Sequence, residues 1–202
     1  MELINIHYYE NEKKIKKEAK KLGYNLKSYS RGVAHFEKDG KNIISIKGTN
    51  PDNITDLISD FKIAVGLTNK DTQFKNRKKE LKKIYKNIND DETIDIVAHS
   101  LGGSIATSIL SKSKSLRERT NKADLYNTGY TKALHKELRK DLSKKDRQEL
   151  NEIITHHRVE NDIVSQGLRS GSVGKVLNYI SNSKSKSLNH ALAGNFNENS
   201  VL

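Results

Sequence analysis

Thr93-Ile94-Asp95-Ile96-Val97-Ala98-His99-Ser100-Leu101-Gly102-Gly103-Ser104-Ile105-Ala106 decides the fold of this chain. An apolar, strand-like run enters a serine. Small residues stand two positions before it (Ala98) and two after it (Gly102), and a helix-compatible segment follows. This is the strand–turn–helix context of the G-x-S-x-G nucleophile motif, with Ala in the first glycine slot. A serine held on so sharp a turn has its hydroxyl pushed out above the sheet edge. Only Gly or Ala fits at −2 and +2, because a larger side chain collides across the turn. Gly103 is expected to let the helix lie close to the strand.

Upstream, Glu10 to Leu22 reads as an amphipathic helix, with Ile15, Ala19 and Leu22 on one face and Gly23 as its stop. Val33 to Glu37 and Asn42 to Lys47 read as strands joined at Asp39-Gly40, a strong hairpin signal. Ile54 to Val65 and the basic stretch Phe74 to Ile88 have helical periodicity, the latter turning Leu81, Ile84, Tyr85 and Ile88 inward. Downstream, Ala123 to Tyr126, Thr155 to Val159 and Val176 to Ile180 read as strands. Lys132 to Ile153 reads as a charged helix or helix pair. Strands alternating with helices predict an α/β fold with a mostly parallel central sheet, helices on both faces and an N-terminal antiparallel hairpin. The length of 202 residues suits a single domain, with residues 131–153 as a charged helical insertion.

The chain has no cysteine, so disulfides and thiolate metal sites are excluded. Its histidines lack metal-motif spacing, and neither a metal nor a cofactor is expected. The N-terminus lacks a signal-peptide pattern and no apolar run reaches membrane-spanning length, so a soluble protein is expected. Net charge is +12, which favours polyanions such as nucleic acid or an anionic lipid surface, or serves solubility alone.

A serine hydroxyl needs a base to take its proton, and the base is most often a histidine oriented by a carboxylate. In α/β-hydrolases these partners follow the serine in the order acid, then histidine, each on a loop after a strand. Asp162 follows the Thr155–Val159 strand. His190 follows the last strand and is the only histidine after Asp162. Asp124 and Glu160 are fallback acids. His99 points away from the serine by strand alternation, His156 and His157 lie too close before Asp162, and His7, His35 and His135 show no partner pattern. The backbone N–H of Leu101, next after the nucleophile, is the first oxyanion donor expected. Ile46-Lys47-Gly48-Thr49 is a candidate for the second, through Thr49.

Ile44-Ser45-Ile46-Lys47-Gly48-Thr49, Asp56-Leu57-Ile58-Ser59-Asp60-Phe61 and Val97 to Ala106 together resemble the class 3 (fungal lipase-like) lipases. Lys47 stands where that family has Arg, Leu57 where it has Trp, and Ala98 where it has the first Gly. The resemblance covers roughly residues 40 to 196. It implies Ser100 as nucleophile, Asp162 in Asn161-Asp162-Ile163-Val164 as acid, His190 in Asn189-His190-Ala191-Leu192 as base, and Thr49 in the oxyanion hole. The expected activity is acyl transfer from a lipid or small carboxylic ester, as in a lipase, phospholipase or esterase. Asn50 to Ile58 sits where the family carries its lid.

Peripheral contact with an anionic membrane surface is a further expectation of the basic helices. The alternative is a basic membrane- or nucleic-acid-binding module on a vestigial hydrolase fold. Aromatics at 6% and the lack of a stacking motif speak against specific nucleic-acid binding. Another serine-triad hydrolase, such as a peptidase or thioesterase, also stays open.

Overall fold

Asp39 and Gly40 adopt φ of 50° and 72°, the paired left-handed conformation of a tight hairpin turn. They join β2 (Val33–Lys38) to β3 (Lys41–Ile46) antiparallel, in the register Lys38↔Lys41 to Val33↔Ile46. The computed structural model describes residues 2–9, 11–30, 32–48, 72–140, 142–162, 164–165, 167–168 and 172–180. Two short elements precede the hairpin, α1 (Glu2–His7) and α2 (Glu12–Lys21). A further strand, β1 (Asn25–Tyr29), pairs antiparallel with β2. The antiparallel part is therefore three strands rather than the expected two. The expected helix at Ile54 to Val65 and the lid segment lie outside the described residues.

After the hairpin come α3 (Thr72–Asn87), β4 (Ile94–His99), α4 (Leu101–Lys112), α5 (Lys114–Glu118) and β5 (Thr120–Tyr126). Then follow α6 (Lys132–Lys140), α7 (Lys144–Ile153), β6 (Ile154–Val159) and β7 (Lys175–Tyr179). The described strands form one sheet in the order β1-β2-β3-β4-β5-β6-β7, and every pair from β3 onward is parallel. This is the α/β architecture the alternation predicted.

Each parallel step advances one place in the same direction. Right-handed crossovers then carry the connecting helices to one face. There Leu81, Ile84 and Tyr85 of α3, Ile105 and Ile109 of α4 and Leu150 of α7 bury Ile44, Ile46, Ile94, Ile96, Leu125 and Ile154. The intervening strand residues Ile43 and Val97 point the other way, onto Leu3 and Ile6 of α1 and Ile15 and Ala19 of α2. Strands covered on both faces read as apolar runs, which is why β3 and β4 were legible.

The segment expected as a charged insertion is the β5–β6 crossover itself. Leu134, Leu138 and Leu142 join the main core, and a capping box between Ser143 and Asp146 starts α7. Arg117, buried at the end of α5, ties this crossover down by pairing with Asp146 and Glu149. Among the described residues no helix is long and apolar enough to cross a membrane.

Candidate active site

Ser100 occupies φ 54°, ψ −122° between β4 and α4. A non-glycine residue there is strained, and the surrounding contacts hold it in place. Its N–H donates to the Tyr126 carbonyl at the end of β5 (3.0 Å). Its carbonyl accepts from the N–H of Gly103 (3.0 Å) and of Gly129 (3.1 Å). Ser104 donates its hydroxyl to the Gly129 carbonyl, fixing the same β5 loop to α4. Leu101 opens α4, so its N–H is one of those at the helix start with no partner within the helix.

The small residues at this turn answer to particular neighbours. A Cβ on Gly102 would stand 2.2 Å from the Ile46 carbonyl oxygen and 3.0 Å from that of Lys47. The +2 glycine is thus required by the end of β3 rather than by the turn alone. Gly103 abuts the Thr128 side chain, not the strand as expected. From the β3 side, Gly48 comes so near that a Cβ on it would lie 2.7 Å from Ser100 Cβ. A second departure from the sequence reading is that Ser100 is fully buried, not raised above an open edge. Thr49, the expected second oxyanion residue, lies outside the described residues.

Asp162 follows β6 and is also fully buried. Its carboxylate accepts from the N–H of Val164 (3.2 Å) and of Ser165 (2.9 Å), a local turn that orients the side chain. Asn127, at φ 42°, ties the two loops together. Its N–H donates to the His157 carbonyl (2.8 Å), and its side-chain oxygen accepts from the Val159 N–H (3.0 Å). Ser100 and Asp162 therefore share the C-terminal edge of the parallel strands, separated by the β5 loop. His190 lies outside the described residues.

The six described histidines all have partners. The His156 ring Nε2 donates to the Val173 carbonyl (2.9 Å), which leaves Nδ1 to accept from the Thr128 hydroxyl (2.9 Å). Burial, aided by neighbouring His157 and opposed by the Val173 bond, lowers its pKa to about 4. His7 in α1 lies 3.0 Å from the Ser45 hydroxyl; burial above all lowers its pKa to about 3. His35 meets the Asn42 side-chain oxygen and His135 lies 3.4 Å from Arg139.

His157 engages both nitrogens, one with Asp124 (2.9 Å) and the other with the Tyr179 hydroxyl (2.8 Å), and stacks on Tyr126. Burial works to raise the Asp124 pKa, but its bond to His157 and the nearby charges outweigh this and hold it below the ordinary value. The fallback acid Asp124 is thus committed to His157. His99 Nδ1 is hydrogen-bonded to the Tyr8 hydroxyl at 2.7 Å.

Sequence reading missed Tyr8 and Arg77, which also contact the turn beside Ser100. Neither carries a local signature, because their partners lie 40 and 30 positions away. Among the described residues no cluster of metal-ligating side chains occurs.

A parallel-rich sheet with a serine on a strained strand–helix elbow is an α/β-hydrolase-like fold. No protein-family model and no curated protein sequence matches the chain. Solved structures similar to it include the lipase of Rhizopus microsporus var. chinensis, with 15% identity, 89% of this chain and 73% of that one covered, and a TM-score of 0.41. The Rhizomucor miehei lipase propeptide complex gives 12%, 89%, 67% and 0.46. A mutant form of MDLA from Penicillium cyclopium gives 16%, 99%, 83% and 0.47.

Proposed function

We propose that this chain is a serine hydrolase of carboxylic esters, acting as a lipase, phospholipase or esterase through Ser100, His190 and Asp162. The observation that carries the reading is the backbone of Ser100. A left-handed serine between a parallel strand and a helix, packed by Gly102 against the end of β3, is costly to maintain, and it stands at the strand-to-helix turn where the nucleophile of this fold class forms.

In the proposed reaction His190 takes the Ser100 proton as the oxygen attacks the ester carbonyl. The N–H groups of Leu101 and Thr49 receive the developing oxyanion. His190 then protonates the leaving alcohol, and the acyl group stays on Ser100. Water, deprotonated by His190, attacks the acyl-enzyme and releases the acid. Asp162 holds the imidazole tautomer and stabilises its charged form. Because Ser100 is buried, substrate entry requires part of the protein to move aside.

The test is hydrolysis of p-nitrophenyl butyrate by wild type, S100A and H190A. Wild type is expected to turn over, and each variant to lose several orders of magnitude in kcat. A folded S100A with undiminished turnover overturns the proposal.

A further inference from the structure

Beside Ser100, the backbone of Lys47 and Gly48 runs past the last ladder residue of β3; the Lys47 N–H donates to the Gly32 carbonyl (3.2 Å), and the other three polar groups are taken up by side chains. Arg77 of α3 donates from Nη1 to the Lys47 carbonyl (2.8 Å) and from Nη2 to the Gly48 carbonyl (3.3 Å). The Tyr8 hydroxyl, just after α1, accepts from the Gly48 N–H (2.9 Å) and lies in hydrogen-bond contact with His99 Nδ1 (2.7 Å). Burial raises the Tyr8 pKa above its ordinary value, so the phenol stays neutral. Helices from the two opposite layers of the sheet thus converge on one peptide. The path for Arg77 is cleared by Gly32, where a Cβ would lie 2.5 Å from Arg77 Nε.

We infer that Arg77 is a positioning residue for the serine turn: its guanidinium, bridging the Lys47 and Gly48 carbonyls against the counter-hold of Tyr8, sets the place of the Gly48 backbone against Ser100. This rests on the reading of Ser100 as nucleophile. Gly48 packs so closely on the serine that a Cβ there would lie 2.7 Å from Ser100 Cβ, so a shift of its backbone is felt at the nucleophile. The fork of a guanidinium can span two carbonyls in a set geometry, whereas a single ammonium on a flexible stem cannot. The effect of Arg77 is indirect, on how well the turn is held when charge develops at Ser100.

The experiment uses the full chain as wild type, R77K, R77A and Y8F. It measures kcat and KM for p-nitrophenyl butyrate, inhibition by an alkyl trifluoromethyl ketone, Ser100 labelling by a fluorophosphonate, and thermal unfolding. The ketone forms a tetrahedral adduct whose oxyanion fills the hole. Expected for R77K and R77A is a cooperative fold, KM close to wild type, and kcat lower by about 10–100-fold, the scale of an ångström-level misplacement. Ketone affinity should fall in parallel, and Y8F should lose kcat in the same KM-neutral way. Kcat within about twofold of wild type in folded R77K and R77A, or a loss expressed in KM alone, overturns the inference. So does unfolding of both Arg77 variants, which would make Arg77 a support of the fold. Wild type that neither turns over nor labels at Ser100 overturns the underlying hydrolase reading instead.

Discussion

Replacing Gly102 with Ala adds one methyl group at the tightest backbone approach of the elbow. That carbon would lie 2.2 Å from the Ile46 oxygen and 2.8 Å from the Ile46 carbonyl carbon, where ordinary contact begins near 3.4 Å. The obstacle is main chain at the end of a central strand, so no side-chain rotation relieves it. Helix α4 must draw back from β3 by about 1 Å. Overpacking of this kind costs about 1–3 kcal/mol, and the better helix propensity of Ala returns up to about 1 kcal/mol. For a chain of this size each kcal/mol moves Tm by about 2–4 °C, so G102A should melt a few degrees below wild type. The same shift separates Ser100 from Gly48, and a misplacement of that size lowers kcat by about 100-fold. Differential scanning calorimetry and p-nitrophenyl ester kinetics read the two effects. G102A with wild-type Tm and wild-type kcat would refute the packing argument for the motif.

His156 and His7 are held neutral by burial, at pKa values of about 4 and about 3 against an ordinary 6.5. The unfolded chain binds these protons first. Stability is therefore complete above about pH 6.5 and falls as pH drops toward 4, by about 1.4 kcal/mol per unit for each histidine; a urea midpoint unchanged between about pH 7 and pH 5 contradicts this. R117A removes the cation that pairs with Asp146 and Glu149 and that also donates to the Leu110 carbonyl, so Tm should fall by several degrees. A wild-type melting curve would show that the α5–α7 tie is dispensable. D162N should cut kcat by about 10³–10⁴-fold with little change in KM, and kinetics at wild-type level would remove Asp162 from the catalytic reading.

The elbow was legible because its signature is local, an apolar run, a serine and small residues at fixed offsets, even though the neighbours that demand Gly102 and Gly103 are distant. The turn at Asp39-Gly40 and helix α3 were legible for the same reason, through left-handed turn residues and a helical period. Two elements escaped. Helix α1 is only six residues long, too short to display a period, and Asn25–Tyr29 is an edge strand whose polar residues carry no alternation. The environment of the serine escaped more completely. Its full burial carries no local signature, and the hold of Tyr8 and Arg77 on Gly48 spans three helix and strand layers that no window of sequence reports. His156 shows the same limit: its partners Thr128 and Val173 are 28 and 17 positions away, so sequence spacing set it aside as a base without revealing its place in the core.

Intact-mass analysis after reaction with a fluorophosphonate, followed by peptide mapping, probes residue 100 as an activated nucleophile with nothing else assumed about substrate. A single adduct carried by Ser100 and lost in H190A is the outcome foreseen. A folded protein that takes up no label, or takes it up at another residue, would contradict the account.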